Sequence, residues 1–463
     1  MSYAERTVVV AGAGIAGAAS ARALLARGAQ VTVIDRGRSP ELEALAELGA
    51  RIVVADTPPA DLFTGVADLV ISPGFPPHHP VALAAAAAGV AVYSEPELAW
   101  RLRPSDAAPW LAVTGTNGKT TTVTMLAAIL RAAGLRTEAL GNIGVPLVEA
   151  ATDPAFDVLA VELSSFQLHW SQRLAPRAGA ILNLADDHLD WHGGFDPYAA
   201  AKTAIWRAAT ADADPAGVAV GNLDDPRVAA LLAQVSGDQV GVTLAEPKPG
   251  QFGVIDGVLV EQGQCAGPTE LIEVSAVRPA GQHNVANALH AAALARAYGV
   301  PVAAVGDGLR GYAPEPHRNA PVATVAGVGY VDDSKATNPH AAQASLTAYP
   351  RIVWVAGGQL KGVDIDPLVA TVAGRLAGAV VLGVDREQIV QALRRHAPQL
   401  PVVTVTRSDD GAMGEAVRAA AAMAAPGDTV LLAPAAASRD MYVDYAARGQ
   451  AFAAAVGSLG AAG

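Results

Sequence analysis

The sequence predicts an α/β protein of three consecutive domains, and three observations carry that expectation. A glycine-rich turn, Gly12-Ala13-Gly14-Ile15-Ala16-Gly17, joins an apolar strand to an Ala-rich helix near the N-terminus. A second turn, Gly115-Thr116-Asn117-Gly118-Lys119-Thr120-Thr121, follows the apolar stretch Trp110 to Val113 and opens another helix. Beyond a proline-bearing hinge, strands and helical segments begin to alternate again. A chain of 463 residues has room for three domains of roughly 150 residues each.

Taken in order, Thr7 to Ala11 reads as a strand, the glycine turn and Ala-rich segment as a helix, and Gln30 to Ile34 as a second strand, which makes one βαβ unit. Strands are expected again at Arg51 to Ala55, Leu69 to Ser72 and Val90 to Tyr93. The polar, proline-bearing run Arg103 to Pro109 reads as a linker, and Ala313-Pro314-Glu315-Pro316 as a hinge. After the hinge, strands are expected at Val353 to Ala356, Ala379 to Leu382 and Thr429 to Leu432. The expected domains are 1–106, 107–314 and 315–463.

Composition excludes several classes of function. Lys plus Arg number 32 against 44 for Asp plus Glu, and the net charge of −12 argues against a nucleic-acid or anionic-membrane partner. Hydrophobic residues make up 51%, much of it alanine, yet no apolar stretch reaches the roughly 18 to 20 residues that span a bilayer. The lone cysteine, Cys265, rules out an internal disulfide framework, and the N-terminus lacks the pattern of a secretion signal. A cytoplasmic setting is expected.

The turn at 115–121 is a phosphate cradle. Backbone N–H groups and the helix N-terminus face an anion, Lys119 reaches terminal phosphates, and the Thr120 hydroxyl is placed to bind Mg²⁺, so ATP is the expected guest. The loop is a shortened variant, with Val113 where the first glycine usually stands. The turn at 12–17, with Asp35 ending the next strand, satisfies the dinucleotide fingerprint. A UDP group makes the same demands: close backbone approach, a helix N-terminus and a carboxylate. Ser72-Pro73-Gly74 after another strand, together with the separate ATP loop, favours a nucleotide-linked substrate over a redox cofactor.

Other polar residues fall where strands should end: Asn142 in Gly141-Asn142-Ile143-Gly144, Glu162 in Glu162-Leu163-Ser164-Ser165, and His188 in Asp186-Asp187-His188-Leu189-Asp190. Ligands of parallel sheets gather at the carboxyl ends of strands, so these groups are expected to converge on the phosphates. Asn284 and Asn287 lie at i, i+3 on one helical face, a spacing that suits an adenine edge.

Together these residues resemble the Mur ligase family of peptidoglycan synthesis, over the whole chain. The loop and the run His283-Asn284-Val285-Ala286-Asn287 mark the family, which includes folylpolyglutamate synthase. The first block, Asp332-Asp333-Ser334-Lys335-Ala336-Thr337-Asn338-Pro339 and the C-terminal Ser438 to Tyr445 with Arg448-Gly449 resemble its D-glutamate-adding branch. The resemblance implies a Rossmann-like N-terminal UDP-binding domain, a central P-loop ATPase domain and a C-terminal Rossmann-like domain that binds the amino acid. It implies that ATP phosphorylates the L-alanyl carboxylate of UDP-N-acetylmuramoyl-L-alanine, and that the D-glutamate amine then displaces phosphate. Catalysis would fall to Lys119, Asn142, Glu162, His188 and Lys202. Two Mg²⁺ ions are implied, one with Thr120 and Glu162, the other with His188 and Lys202 carried as its carbamate. ATP would meet Gly115, Thr116, Asn117, Gly118, Lys119, Thr120 and Thr121, with Asn284, Asn287, Arg318 and Asp333 around the nucleotide. The UDP-substrate would meet Gly14, Ile15, Asp35, Arg36 and Ser72, with Asn142 and His188 at its acyl end. Thr337, Lys361, Ser438 and Tyr445 would hold D-glutamate. Ala16 departs from the Ser or Thr common in the family and leaves that phosphate contact to backbone N–H groups.

Read without the resemblance, Lys202 is a surface lysine on an Ala-rich helix, His317 caps the hinge, and His78 and His79 are solvated loop residues. The competing functions are another amide ligase of the superfamily, an NAD-dependent oxidoreductase, and a non-catalytic nucleotide-binding regulator. The expected partners are small molecules only, bound by a monomer.

Overall fold

The computed structural model describes residues 3–210, 216–264 and 267–460, and Cys265 lies outside them. The described strands form three sheets. The first is wholly parallel, in the order β3-β2-β1-β4-β5, from β1 (Thr7–Ala11), β2 (Gln30–Asp35), β3 (Arg51–Val54), β4 (Asp68–Ile71) and β5 (Ala91–Tyr93). Chain order reverses at β1, which opens a crevice beyond the carboxyl ends of β1 and β4.

The second sheet contains β6 (Trp110–Thr114), β7 (Ala139–Gly141), β8 (Leu159–Glu162), β9 (Ala178–Ile181), β10 (Val218–Asn222), β11 (Asp238–Val242), β12 (Gln251–Ile255), β13 (Val258–Gln262) and β14 (Pro268–Glu273). Its order is β14-β13-β12-β11-β10-β9-β6-β8-β7, with β6 flanked by parallel neighbours β9 and β8 and an antiparallel edge from β12 to β14. The third sheet runs β15-β16-β20-β17-β18-β19, from β15 (Ala320–Val325), β16 (Val328–Asp332), β17 (Ile352–Gly357), β18 (Leu376–Leu382), β19 (Val402–Thr404) and β20 (Thr429–Leu432). Only the β15–β16 pair is antiparallel among its described pairings. The strands expected from the sequence are found with ends shifted by a few residues, since short apolar runs mark a strand's centre better than its ends.

The chain divides into two compact units: residues up to Ala276 with Ala286–Gly311, and Val277–Val285 with the chain from Tyr312 onward. The first unit holds the first two sheets, joined by one apolar core in which Tyr93 and Leu98 cluster with Trp110, Leu147 and Leu159. Helix Glu95–Leu102 is buried there by its polar residues as well. The Glu97 carboxylate accepts N–H bonds from Gln172, Arg173 and Leu174, and Glu95 accepts one from Val148 at 2.6 Å. These bonds offset the desolvation of two buried carboxylates. In the second unit, Val331, Trp354, Ala379 and Leu431 lie in the core on one side of the sheet, while Tyr330, Val353, Val380 and Val430 lie in that on the other. No described helix is long and apolar enough to cross a membrane.

Candidate active site

The glycine turn at 115–121 lies where the sequence places it, between β6 and helix Lys119–Ala132. Gly118 has φ +84°, and a Cβ there would stand 2.5 Å from the Asn287 side-chain oxygen, so both conformation and space demand glycine. The loop is braced by the segment after β9. Asn183 accepts the Asn117 N–H at 2.8 Å and donates to the Asn117 carbonyl, while the Thr116 hydroxyl meets the Tyr198 hydroxyl at 2.7 Å and accepts the Ala185 N–H. Thr116 and Asn117 are thus engaged in shaping the loop.

Glu162 ends β8 beside Val113 of β6, a register that brings it to the loop. Its buried carboxylate accepts from the Thr120 hydroxyl at 2.7 Å and from the Asn142 amide at 2.8 Å. Lys202, on helix Phe195–Thr203, is buried rather than on the surface; Nζ donates to the Gly115 carbonyl at 2.9 Å and stands 4.8 Å from the centre of the Tyr198 ring. Lys119 donates to the carbonyls of Gly115 and Thr116. Burial and then the neighbouring Lys119 charge hold the Lys202 amine well below its ordinary pKa, against the pull of Asp187 and Glu162.

His188 heads the short helix Leu189–His192 in a left-handed conformation, φ +54°, and is exposed. It pairs with Asp187 at 3.5 Å and rests on the Phe166 ring, with centroids 4.6 Å apart, without a hydrogen bond to Glu162 or Lys202 among the described residues. His192 was not singled out by sequence reasoning. It is buried, Nε2 lies 3.0 Å from the Ser165 hydroxyl, and burial pushes it down to about 4, so it is neutral at neutral pH. The dense Trp191-His192 pair in an otherwise polar turn was the available signal, as was the i, i+4 spacing of Tyr198 and Lys202.

A cavity of about 500 Å³ lies at the crevice of the first sheet, lined among others by Gly12, Asp35, Arg36, Ser72, Phe75 and His79. Close packing of turn on helix needs Gly17, where a Cβ would fall 1.8 Å from the Gly12 carbonyl oxygen. The Asp35 carboxylate accepts the Ala13 N–H at 2.7 Å, tying the turn to the end of β2. Gly14, the N-cap, and Ile15, the first helical residue, are exposed and do not line the cavity. His78 is exposed as expected, but His79 is not a solvated loop residue: Nδ1 accepts the Val81 N–H, capping helix Pro80–Ala87, and the ring lies 4.4 Å from Phe75.

In helix Gln282–Tyr298 both amides are buried; Asn287 accepts from Thr122 at 3.1 Å, and Asn284 donates to Ala280. In the second unit the carboxyl ends of β16, β20 and β17 are neighbours and carry Thr337, Ser438 and Lys361 on their loops. Gln359 and Ala437 exchange backbone hydrogen bonds, joining the Lys361 and Ser438 loops. The buried Arg448 guanidinium donates to Ser334, Gly357 and Ala436, clasping all three strand ends. Ser438 is buried, Lys361 exposed, and Tyr445 carries the Lys335 ammonium 4.0 Å over its ring. His317 does more than cap the hinge, since Nδ1 meets the Asp332 carboxylate at 2.6 Å. Asp333 is buried, accepting the Asn319 N–H and the Ser345 hydroxyl, with the Arg318 charge acting on it.

Residues 6–94 match the MurD-like N-terminal domain of Mur ligases, 113–295 the Mur ligase middle domain, and 317–436 the Mur ligase glutamate ligase domain. The UDP-N-acetylmuramoylalanine–D-glutamate ligase of Thermobifida fusca is 52% identical over 475 residues, covering 99% of this chain and 100% of that protein. The enzyme of the same name from Streptomyces coelicolor is 51% identical, covering 99% of each. Among solved structures, the UDP-N-acetylmuramate-alanine ligase of Thermotoga maritima aligns with a TM-score of 0.57 at 18% identity, over 98% of this chain and 99% of that one. MurF of Acinetobacter baumannii aligns with a TM-score of 0.58 at 20% identity, over 93% and 88%. The structural likenesses establish a shared α/β fold.

Proposed function

Since the chain belongs to the Mur ligase family, we infer that it is an ATP-dependent amide ligase that adds D-glutamate to UDP-N-acetylmuramoyl-L-alanine in peptidoglycan precursor synthesis. The observation that carries this reading is one compact unit holding both a phosphate loop, with Thr120 and Glu162 in contact at 2.7 Å, and a separate cavity at the first sheet's switch point. A nucleotide-linked substrate and ATP then occupy different sites, which a hydride-transfer enzyme does not need.

In the reaction the L-alanyl carboxylate attacks the γ-phosphorus of ATP and ADP departs. The D-glutamate amine adds to the acyl carbon, and the tetrahedral intermediate expels inorganic phosphate to leave the amide. Lys119 balances charge on the transferring phosphoryl group, and Asn142 and His188 hold the acyl end. The oxygens of Thr120 and Glu162 fit Mg²⁺, which takes few protein ligands and draws on phosphates and water; no described group of three His, Cys, Asp or Glu side chains is arranged to hold a metal alone. When bound, the ion neutralises phosphate charge. We assign a second ion to His188 and to Lys202 as its carbamate. The depressed pKa of Lys202 supports this, since a neutral amine is the form that attacks CO₂, losing one proton as the N–C bond forms.

The assignment continues with Asp35, Arg36 and Ser72 on the UDP group within 1–106, the loop, Asn284, Asn287, Arg318 and Asp333 on ATP, and Thr337, Lys361, Ser438 and Tyr445 on D-glutamate. A cation among hydroxyls suits a dicarboxylate. The domains are taken as 1–106, 107–314 and 315–463, acting as a cytoplasmic monomer. Phosphate release measured with each substrate omitted tests the reading: release should require ATP, UDP-N-acetylmuramoyl-L-alanine and D-glutamate together, and release with a different amino acid in place of D-glutamate would overturn it.

A further inference from the structure

Two tryptophans of the second sheet's loops hold the rim of the first sheet's cavity. Trp191 Nε1 donates to the Gly74 carbonyl at 3.2 Å, and Trp170 Nε1 to the Phe75 carbonyl at 3.3 Å. The loop they hold, Ser72-Pro73-Gly74-Phe75-Pro76-Pro77, has three prolines without N–H groups and so builds little internal hydrogen bonding; within it, Phe75 N–H reaches the Ser72 carbonyl. Its position is therefore set largely by donors from outside, and Ser72, Gly74 and Phe75 all line the cavity.

Trp191 belongs to the same turn as His188, whose carbonyl accepts the Trp191 N–H at 3.1 Å. The Phe166 ring touches both, with centroids 4.5 Å from Trp191 and 4.6 Å from His188. The buried His192 ring packs against both Trp191 and Phe166, 4.5 Å from the first and 5.7 Å from the second, and is anchored to Ser165. The turn carrying His188 is thus pinned between the helix that follows Glu162 and the rim of the nucleotide cavity.

We propose that Trp191, with Trp170, is a positioning residue that sets the register between the two ends of the substrate, so that a uridine nucleotide seated against the 72–75 loop places His188 at the acyl end. The proposal rests on the reading of the cavity as the uridine-nucleotide site. Its physical basis is that a misplacement of about 1 Å at a reacting group costs rate even when binding is kept.

The test is a cycle of enzyme variant against substrate truncation. Trp191→Phe keeps an aromatic ring against Phe166 and deletes the N–H donor. The substrates are UDP-N-acetylmuramoyl-L-alanine and N-acetylmuramoyl-L-alanine 1-phosphate, which lacks the uridine monophosphate. With the full substrate, kcat should fall about tenfold in Trp191→Phe, and with the truncated one less than twofold, while the Kd for UDP alone stays within threefold. Trp170→Phe should show the same pattern, and it carries the test if the first variant does not fold. An equal loss with both substrates, or no loss with either, overturns the coupling. A wild-type enzyme indifferent to truncation overturns instead the uridine assignment of the cavity, and the proposal with it.

Discussion

Lys119 and Lys202 donate to the same oxygen, the carbonyl of Gly115, each at 2.9 Å. Two ammonium groups converging on one neutral acceptor repel each other, and the buried member, Lys202, is the one whose charge is disfavoured. The proposed division of labour, Lys119 on phosphate and Lys202 as a carbamate, starts from this asymmetry.

Lys202→Ala should reduce turnover by about 10²-fold or more, as for loss of a preorganised electrostatic group. Bicarbonate or a short carboxylic acid should restore part of it by standing in for the carbamate. Carbon NMR of active enzyme equilibrated with labelled CO₂ checks the modification directly, and an unmodified Lys202 in fully active protein would exclude it.

Lys119→Met should lose turnover to a similar degree, roughly 10²- to 10³-fold, while UDP binding is nearly unchanged, because the cavity at Asp35 and Ser72 is separate from the loop. Calorimetric titration with UDP beside a phosphate-release assay separates the two effects. A parallel loss of both would contradict the division of labour.

Asp35→Ala removes a carboxylate that both lines the cavity and holds the Ala13 N–H. Affinity for the UDP-linked substrate should fall roughly tenfold or more, the effect of losing a charge-assisted hydrogen bond of about 1.5–3 kcal/mol. No dependence on NAD should emerge, and saturable NAD binding to wild-type enzyme that UDP cannot displace would speak for an oxidoreductase.

Lys361→Ala should raise the KM for D-glutamate about tenfold and leave that for ATP within twofold, whereas Arg318→Ala should do the reverse. Steady-state kinetics with each substrate varied in turn decides the matter. Equal shifts in both constants for both variants would show that the two residues do not have separate ligands.

Stability should depend on pH through Asp333. Burial pushes its carboxyl up to about 7, against the hydrogen bonds from Asn319 and Ser345 and the Arg318 charge that favour ionisation. Its folded pKa lies above the unfolded value of about 3.9, so its contribution is complete in acid and lost as pH rises through about 7. Relative to Asp333→Asn, wild-type protein should therefore lose unfolding free energy between about pH 4 and 7, by at most about 1.4 kcal/mol per pH unit, and level off above. Denaturant titrations of both proteins across that range check it, and identical slopes would reject it.

Much of the loop at 115–121 was legible because its determinants are local. Gly118, Lys119 and Thr120 act through a strand, a turn and a helix start that lie within a dozen residues, where φ preferences and helix-end N–H groups leave few alternatives. Asp35 and Glu162 were placed by a rule nearly as local, that ligands gather at the carboxyl ends of parallel strands. The exposed His188 follows the same rule, whereas the contacts of Trp191 and His192 depend on Gly74 and Ser165, 117 and 27 residues away.

What the sequence by itself determined is the alternation of strands and helices and the position of the two glycine turns. Only the tertiary structure decided that Lys202 is buried beside Gly115 rather than solvated, that Asn142 faces Glu162, and that Trp191 reaches Gly74 across 117 residues of chain. These pairings depend on β6 lying between β8 and β9 and on the first two sheets sharing a core. Strand neighbours and core packing are fixed by burial summed over the whole unit, a quantity that no window of sequence contains.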